Sequence, residues 1–383
     1  MNIVLFSDTF PPQVNGVANV VASSAEALAE RGHDVHVFTA FGEKREAFEQ
    51  VAKEKYTVHN IPSLPFWGYP DLRAAIPFAP VRRALGDWRP DVVHTHTLFG
   101  VGYLAVRAAR YFKVPLIGTH HTFLNHYLKY VRTDFPGARK LTWRYTIGYY
   151  NRCDLLISPS RVLASELVGN GFRGKIEVLP NSVDVNYFVP GEVAPPRSAC
   201  VYVGRLSYEK SVDQVLLAFR EVVRRHPEAK LTIVGDGPER KNLEHLCREL
   251  ALHENVQFTG FFRGERLREA LQENSIFLTA SETENMPLSL LEAMAVGLPV
   301  VGVAAKGIPE IVQDKMNGRL TTPGVPIEMA EAVSQLLNDQ AMYEQYARAA
   351  RAEALQYSVQ SVTDKLETIY ANVIGTDERK RTS

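Results

Sequence analysis

Short apolar runs alternate with helical patterns along the first half of the chain. Residues 3–6 form an apolar run that predicts a buried strand. Apolar residues then recur at helical spacing from Val17 to Leu28, and Gly32 is placed to end that helix. The next strand is predicted at residues 35–38. This alternation indicates a parallel sheet with helices on both faces.

The same pattern recurs, and a second series of elements begins near residue 199. In the first half, predicted strands at 91–94 and 114–117 flank a helix at 98–112. The second half contains a predicted helix at 211–226 and predicted strands at 199–203, 230–234, 256–258, 275–278 and 298–303, the last of which closes the series. Two Rossmann-like, doubly wound α/β domains are therefore expected.

A segment rich in proline separates the two series. Residues 190–196 read PGEVAPP, which is typical of a linker. We expect a first domain at 1–190 and a second at 191–359, with a ligand-binding cleft between them. The last predicted helix, at about 359–374, has no strand after it. Residues 360–383 are therefore expected to return to the first domain.

Composition and cysteine usage narrow the class of protein. The 383 residues are 45% hydrophobic and 22% charged, as in ordinary globular proteins. The N-terminus lacks the pattern of a signal peptide, and no apolar run approaches the ~20 residues of a membrane span. The three cysteines lie far apart without a CxxC spacing, which indicates free thiols in a reducing compartment. We expect a cytoplasmic protein.

The net formal charge of zero hides an uneven distribution. Residues 1–190 contain 21 basic and 16 acidic side chains, and the second half has the opposite excess. Residues 121–152 contain six basic side chains and one acid, so that segment alone accounts for the basic excess. It interleaves bases with aromatic residues: Lys129, Tyr130, Arg132, Arg139, Lys140, Trp143 and Arg144.

Three interpretations of this basic, aromatic segment remain open. Trp, Tyr and clustered Lys and Arg suit contact with an anionic membrane surface. An amphipathic helix that packs Trp143 and Tyr150 inward is the structural alternative. Nucleic-acid binding is disfavoured, because the chain is neutral overall and contains no nucleic-acid-binding motif.

The most distinctive local pattern is SETENMPLSLLEAMAVGLP, at residues 281–299. Pro287 suits the first turn of a helix and Gly297 its end, and the helix between them is apolar on nearly every side. Glu292 places a carboxylate on this helix, and burial of a carboxylate is costly unless the group is paired or hydrogen-bonded. Either Glu292 binds a ligand or it caps a neighbouring loop. Glu284 lies just ahead of the helix, where backbone N–H groups favour an anion, although it could also be solvated.

Two cations and one glycine lie at other predicted strand ends. Arg205 and Lys210 follow the first strand of the second domain, where two cations beside a helix N-terminus can neutralise a diphosphate. Solvated side chains are the alternative. Gly16 lies where the first loop meets the first helix, and glycine allows the backbone to approach a ligand closely.

Several other kinds of site are disfavoured. His94, His96, His120, His121 and His126 cluster without a zinc-binding spacing. We expect His94 and His120 to lie in the core, and His96 to support another residue. The sequence GDG at 235–237 is too short for a dinucleotide fingerprint, and the chain contains no Asp-x-Asp metal motif.

Taken in order, these motifs resemble the retaining glycosyltransferases of family 4, which have the GT-B fold. The resemblance rests on the two glutamates spaced E-x7-E and on FSDTFPPQVNGV, GTHHT, SPS, LPNSVD, GR…K and GDGP, and it covers nearly the whole chain. Two positions depart from the family: Ser211 replaces a common glycine, and Asn15 replaces the first of two glycines. Asn tolerates left-handed conformations, so the turn before Gly16 is expected to be kept.

The resemblance implies a role for each candidate residue and a reaction. Gly16 would contact phosphate, Arg205 and Lys210 would bind the donor diphosphate, and Glu292 would bind the donor ribose. His121 and Glu284 would orient the sugar, with Met286 and Leu288 also on the donor side. The departing phosphate oxygen would take the acceptor proton in a same-face displacement. No cofactor or metal is implied, and the donor base is expected near residues 260–263.

The motifs HTHTLFG and THHTF further resemble the diacylglycerol glucosyltransferases and the phosphatidylinositol and glycolipid mannosyltransferases of that family. This implies a nucleotide-sugar donor of the UDP-glucose or GDP-mannose class, a lipid acceptor and peripheral association with the cytoplasmic face of a membrane. A soluble or polysaccharide-precursor acceptor remains an alternative, as does a nucleotide-sugar epimerase of the same fold. An inactive binding module is disfavoured by the complete set of Arg205, Lys210, Glu284 and Glu292.

Overall fold

The computed structural model describes residues 1–13, 15–40, 55–65, 73–75, 81–121 and 135–382. They form two compact units, one of residues 1–181 with the chain from 359 onward, the other of residues 182–358. Each unit has one parallel sheet with helices packed against it, which confirms the predicted fold class.

The sheet of the first unit has seven strands among the described residues. In chain order the strands are β1 (Asn2–Ser7), β2 (Asp34–Thr39), β3 (Thr57–Asn60), β6 (Val92–Thr95), β7 (Leu116–Thr119), β8 (Leu155–Ser158) and β9 (Ile176–Val178). Their order in the sheet is β3-β2-β1-β6-β7-β8-β9. A separate antiparallel pair is formed by β4 (Ser63–Pro65) and β5 (Arg73–Ala75). The helices are α1 (Gly16–Glu30), α2 (Val81–Leu85), α3 (Gly100–Phe112), α4 (Pro136–Tyr150) and α5 (Arg161–Gly169).

The central strand β1 is buried on both faces. Ile3 and Leu5 join a core cluster with residues of α1, whereas Val4 and Phe6 join a cluster with residues of α3. Side chains alternate between the faces of a strand, so an uninterrupted apolar run can fill two cores at once. This is why the run at residues 3–6 predicts a strand with helices on both sides.

The sheet of the second unit has six parallel strands. They are β10 (Ala199–Val203), β11 (Lys230–Val234), β12 (Val256–Gly260), β13 (Ile276–Thr279), β14 (Val300–Val303) and β15 (Gly318–Thr321), in the order β12-β11-β10-β13-β14-β15. This is the strand order typical of Rossmann folds. A 3-10 turn (Tyr208–Lys210) precedes the helices α6 (Val212–Arg225), α7 (Arg240–Glu249), α8 (Glu265–Gln272), α9 (Leu288–Val296), α10 (Ile308–Ile311), α11 (Pro326–Asn338) and α12 (Gln340–Leu355).

The boundary between the units differs from the predicted one. Residues 182–190 belong to the second unit, not the first. The backbone N–H of Val183 donates to the Tyr357 carbonyl (2.9 Å). The Arg351 guanidinium donates to the carbonyls of Val185 and Phe188 (2.8 and 2.7 Å). The proline-rich segment therefore lies within the second unit, because hydrogen bonds to Tyr357 and from Arg351 on α12 hold the chain before it.

The C-terminal helix α13 (Val359–Thr382) belongs to the first unit, as predicted. The Arg31 guanidinium contacts the carboxylates of Asp364 (2.5 Å) and Glu367 (2.6 Å). Deeper in the unit, the hydroxyl of Tyr370 lies 2.7 Å from Nδ1 of His94, on β6. The helix is therefore fixed to the first sheet by both surface charges and a buried hydrogen bond.

Candidate functional site

In the second unit, the strand order reverses direction at β10. This strand lies between β11 and β13, so its connections leave toward opposite edges of the sheet. In such sheets, ligands bind beyond the carboxyl ends of the strands at this point. The chain segments there are residues 204–211, after β10, and 280–287, after β13. They contain four of the predicted residues: Arg205, Lys210, Glu284 and Met286.

Contact with a neighbouring loop shapes the segment after β10. The Gly204 N–H donates to the Val234 carbonyl (3.0 Å), and the Leu206 N–H donates to the Asp236 carbonyl (2.9 Å). A Cβ atom on Gly235 would lie only 1.9 Å from the Gly204 carbonyl oxygen. Any side chain at Gly235 would therefore push the two loops apart. The short glycine motif thus supports this segment.

An ion pair joins the two segments at the strand ends. Nζ of Lys210 lies 2.5 Å from Oε1 of Glu284, and the side chains are 23% and 18% exposed. The hydroxyls of Thr283 and Ser281 donate to the Glu209 carbonyl (3.3 and 3.2 Å), which ties the segment after β13 to the 3-10 turn. The structure therefore brings together a cation and a carboxylate that lie 74 residues apart in sequence.

The turn that carries Lys210 ends in a strained residue. Ser211 has φ 50° and ψ 41°, in the left-handed region. This conformation costs a non-glycine residue roughly 1–2 kcal/mol, which explains why glycine is favoured there. The serine keeps the turn, so α6 still begins at Val212. Arg205 is partly exposed in the same segment.

Glu292 lies on helix α9, which follows the second of these segments in the chain. The start of this helix differs from the prediction, and its end agrees with it. Pro287 is not in the first turn; it is the N-cap residue, with extended backbone (φ −71°, ψ 122°). Its carbonyl accepts the first helical hydrogen bond, from Leu291 (3.3 Å), while its own ψ remains outside the helical range. Gly297 ends the helix with φ 95°, as predicted.

Glu292 is a partly buried carboxyl group without a protein partner. In the described part of the chain, no side chain or backbone group forms a hydrogen bond or ion pair with it. Burial alone raises its pKa to about 7. Of the other predicted residues here, Met286 is buried and Leu288 is partly exposed at the first position of α9. Glu292 is thus suited to bind hydroxyl groups of a ligand.

Gly307 contacts the backbone of the segment before α9. This residue was not identified from the sequence. Its N–H donates to the Glu284 carbonyl (2.9 Å). A Cβ atom at Gly307 would lie 1.6 Å from the carbonyl oxygen of Asn285. Because only glycine allows this approach, Gly307 helps to set the position of Glu284. The signal available in the sequence, a glycine just before a short helix, was not specific enough to find it.

The first unit has a corresponding reversal of strand order at β1, which lies between β2 and β6. Gly16 is the first residue of α1, and a Cβ atom there would meet no other described residue, apart from its chain neighbours and its own helix, within 4 Å. The turn before Gly16 does not use the left-handed conformation that asparagine tolerates. Asn15 is extended (φ −157°, ψ 161°), and its side chain accepts a hydrogen bond from the Ala18 N–H (2.8 Å). An N-cap residue needs extended backbone for its side chain to reach the first helical turn.

Asp8, another residue missed at the sequence level, organises the neighbouring segment. Its carboxylate accepts hydrogen bonds from the Thr97 hydroxyl (2.6 Å) and the Val101 N–H (2.9 Å). Phe99, the N-cap residue of α3, provides no side-chain hydrogen bond. Asp8 therefore caps α3 from the adjacent strand end and fixes the chain that follows His96. Its position directly after a buried strand was the available signal.

The predicted site histidine, His121, lies in a cluster of buried imidazoles. Its Nε2 atom is 3.0 Å from Nδ1 of His96, and the two ring planes are nearly parallel, with an angle of 15° between them. His94 bonds the hydroxyls of Tyr370 and Thr119 (2.7 Å each), consistent with the expected core position. Burial lowers the pKa of His121 to about 4 and those of His94 and His120 to about 3. These rings are neutral at physiological pH.

Helix α4 has one buried and one exposed half. Tyr149 and Tyr150 are almost fully buried, and Trp143 packs partly buried against the core. Leu141 is 67% exposed and Phe135, the N-cap residue, is 57% exposed. The predicted bases Arg139, Lys140 and Arg144 are exposed alongside them, whereas Lys129, Tyr130 and Arg132 lie outside the described residues. The first half of α4 thus combines exposed apolar and basic side chains.

Among the described residues there is no metal-binding cluster, no membrane-spanning helix and no disulfide bond. Within the described ranges, no group of three or more His, Cys, Asp and Glu side chains could hold a metal ion. In that same part of the chain, no helix has both the length and the apolar character needed to cross a membrane. Cys200 and Cys247 are buried and Cys153 is partly exposed, all as free thiols.

Comparison with known proteins gives the chain a family. The family model described as Glycosyltransferase Family 4 matches residues 14–187, and that described as Glycosyl transferases group 1 matches residues 192–353. The chain is 28% identical to the alpha-monoglucosyldiacylglycerol synthase of Streptococcus pneumoniae over 84% of this chain and 75% of that protein. It is 29% identical to a GDP-mannose-dependent alpha-mannosyltransferase of Mycobacterium tuberculosis over 98% of this chain and 97% of that protein.

A solved structure supports the fold. Anabaena HepE, in complex with UDP, is 21% identical and has a TM-score of 0.78 over 97% of this chain and 100% of its own. Each half of the chain matches a glycosyltransferase family model, and the two parallel sheets are those of GT-B enzymes. The chain therefore belongs to glycosyltransferase family 4 and is a glycosyltransferase of the GT-B fold.

Proposed function

We propose that this enzyme transfers a hexose, with retention of configuration, from a nucleotide-sugar of the UDP-glucose or GDP-mannose class to a lipid acceptor such as diacylglycerol or a glycolipid. The reaction would take place at the cytoplasmic face of a membrane, with the enzyme bound peripherally. The observation that carries the donor half of the proposal is the Lys210–Glu284 pair at the reversal of strand order in the second unit.

The donor assignment follows from the chemistry of that position. A nucleoside diphosphate carries negative charge that Lys210 and Arg205 can neutralise, and the N-terminus of a nearby helix adds to the field. Glu284 faces Lys210 and is placed to bind a sugar hydroxyl once phosphate engages the lysine. Glu292, without a protein partner in the described residues, takes the ribose hydroxyls. Met286 and Leu288 lie beside this group.

The remaining roles belong to the first unit. Gly16 would let a phosphate approach the N-terminus of α1, since a Cβ atom at this position would have no non-neighbouring atom of the described residues within 4 Å. His121 orients the sugar. The departing β-phosphate oxygen takes the acceptor proton as the new glycosidic bond forms on the same face. Charge neutralisation by Arg205 and Lys210 makes the reaction metal-independent in this scheme.

The acceptor assignment draws on α4 and on the relatives. The pneumococcal relative is named a synthase of a glucosyldiacylglycerol, whose acceptor is a lipid. Helix α4 exposes Phe135 and Leu141 beside Arg139, Lys140 and Arg144. Apolar side chains flanked by bases are suited to the headgroup region of an anionic bilayer. We therefore expect a lipid acceptor to be reached from a membrane surface.

A transfer assay tests the proposal. The enzyme is incubated with UDP-glucose or GDP-mannose, in EDTA, with and without vesicles that contain diacylglycerol. We expect a glycolipid product in the presence of vesicles. Lys210→Ala and Arg205→Ala should lower kcat by on the order of 10²-fold, as expected for loss of a group that stabilises developing charge. Exposed Lys241→Ala on α7 is a control that should leave the rate unchanged.

The outcomes separate the alternatives. Isomerisation of the donor without an acceptor would identify an epimerase. Transfer only to a soluble glycan would keep the donor site and remove the lipid acceptor. Activity that requires added Mg²⁺ or Mn²⁺ would contradict metal independence. A folded protein with neither transfer nor slow hydrolysis of any donor would overturn the proposed activity.

A further inference from the structure

We propose that His96 is a positioning residue, which fixes the ring orientation and the tautomer of His121. The inference rests on the proposed function, because the placement of His121 beside the donor sugar belongs to that function. His96 directly follows strand β6. This strand is the neighbour of β1, and β1 is where the strand order of the first sheet reverses.

The contact between the two rings is close and well defined. Nδ1 of His96 lies 3.0 Å from Nε2 of His121, which is hydrogen-bond distance. The ring centroids are 5.3 Å apart with an interplanar angle of 15°. His96 is only 4% exposed and packs on the ring of His94 (4.1 Å between centroids) on its other side. His96 therefore has little freedom to move, and it limits the freedom of His121.

Hydrogen bonding selects one tautomer of the pair. Both rings are neutral, because burial lowers their pKa values, so each carries one N–H. Nε2 of His96 is buried and has no hydrogen-bond partner in the described part of the chain. A proton there would leave a buried N–H donor unpaired, which native structures strongly avoid. The proton of His96 therefore lies on Nδ1 and is donated to Nε2 of His121, which leaves His121 protonated on Nδ1.

The other buried histidines of this cluster serve different partners. His94 bonds Tyr370 and Thr119, and Nδ1 of His120 lies 3.3 Å from the Tyr150 hydroxyl. Both of these rings bond groups of the core, although Nε2 of His120, like that of His96, has no hydrogen-bond partner among the described residues. The hydrogen bond of His96 instead reaches the residue expected beside the sugar. This difference distinguishes a positioning role from a purely structural one.

Two variants of the full-length enzyme separate these roles. His96→Leu fills the buried position with an apolar side chain and removes the hydrogen bond. His96→Asn places an amide N–H donor close to the position of Nδ1 and should restore the bond. The same two substitutions at His36, a half-buried histidine on β2 that bonds His59 (2.9 Å), provide matched controls.

Ring nitrogen spectra of protein labelled with 15N-histidine test the contact without reference to activity, with His121→Gln used to assign the signals. We expect His121 to be protonated on Nδ1 in the wild type, and its signals to shift in His96→Leu but not in the His36 variants. His121 signals that show a proton on Nε2, or that are the same in His96→Leu, would overturn the inference. This result stands even if the wild type transfers no sugar, which would overturn the proposed function alone.

Kinetics then test the consequence. His96→Leu should lower kcat about 10- to 100-fold, the scale of a small misplacement of a positioned group. Its affinity for UDP, which has no sugar, should equal that of the wild type, and His96→Asn should recover most of the rate. A His96→Leu enzyme with wild-type kcat would contradict the inference, as would a parallel loss of UDP binding, since that indicates a general structural defect.

Discussion

Ser211, directly after Lys210, adopts a left-handed backbone conformation. Its Cβ atom makes this conformation strained, whereas glycine, which has no Cβ atom, would adopt it without strain. We predict that Ser211→Gly stabilises the protein by about 0.5–1 kcal/mol, because relief of strain exceeds the added entropy of the unfolded chain. Thermal unfolding should shift upward by about 2–4 °C per kcal/mol. Ser207→Gly is the matched control: Ser207 is extended (φ −137°), so glycine there should not stabilise. Equal shifts for both variants would rule out the strain explanation.

Glu292 gives the donor site a pH dependence. Burial raises its pKa to about 7, so the carboxylate form that accepts hydrogen bonds from ribose becomes dominant as pH rises through 7. Affinity for UDP-glucose or GDP-mannose should therefore increase from pH 6 to pH 8, by at most about tenfold, the change in ionised fraction across that range. Isothermal titration calorimetry measures it.

Two variants control this experiment. Glu292→Gln should bind the donor equally at both pH values, because it has no ionisable group. Glu282→Gln removes an exposed carboxylate in the preceding loop and should keep the pH dependence of the wild type. A wild-type affinity that does not change with pH would contradict the role of Glu292. Stability depends on pH with the opposite sign: burial raises the pKa of Glu292 from the ordinary 4.5 to about 7, so the contribution of its protonated form to folding is full below about pH 4.5 and is lost as pH rises to 7.

Charged candidates were easier to find from the sequence than the groups that position them. Lys210 and Glu284 could be singled out because they lie beside predicted strand ends within motifs that resemble those of the family, although either charge alone could equally have been solvated. The His96–His121 bond and the fit of Gly307 against Asn285 depend on the path of loops, and residues 22 to 25 positions apart meet only after those loops fold. Periodicity carries no information about such contacts.

At the scale of elements, most central strands were predictable and most edge strands were not; the exceptions are the edge strand β12, expected at residues 256–258, and the buried strand β8, which was not predicted. The apolar runs that become β1, β10 and β14 are buried on both faces, so the sequence shows an unbroken hydrophobic stretch. The second series was expected to close at residue 303, yet β15 adds a further strand. Its sequence, Gly-Arg-Leu-Thr, has a single apolar side chain, because an edge strand needs to bury only part of its surface.

The C-terminal helix α13 contributes a buried hydrogen bond as well as an apolar face. Tyr370→Phe removes the hydroxyl bonded to Nδ1 of His94 (2.7 Å) and leaves a buried polar atom unpaired. We predict a loss of about 1–3 kcal/mol in the free energy of unfolding. Denaturant unfolding measures it, with Tyr111→Phe, an exposed tyrosine, as control. Equal stability of Tyr370→Phe and the wild type would show that the bond contributes nothing.

At the scale of the whole molecule, equal numbers of acids and bases conceal a division of charge. The basic excess of the first half lies within residues 121–152, and the second half is acidic. Such a protein should not adsorb generally to polyanions, since its net charge is zero. It should instead bind an anionic surface through one local patch. Within the part of the chain that the structure describes, this patch is the exposed first half of α4, with Arg139, Lys140 and Arg144.

Vesicle binding tests this orientation. Replacement of the three exposed bases of α4 by alanine should weaken binding to phosphatidylserine-containing vesicles about 100-fold, because each contributes about 1 kcal/mol near an anionic bilayer. Raising the salt concentration to 1 M should have a similar effect on the wild type, since the Debye length falls to about 3 Å. The test substitutions are Arg139→Ala, Lys140→Ala and Arg144→Ala, and the matched controls on α6 are Arg220→Ala, Arg224→Ala and Arg225→Ala. Donor affinity should be unchanged in the α4 variant, because the proposed donor residues are elsewhere in the chain. Equal losses of vesicle binding in both triple variants would show that α4 is not the membrane-binding surface.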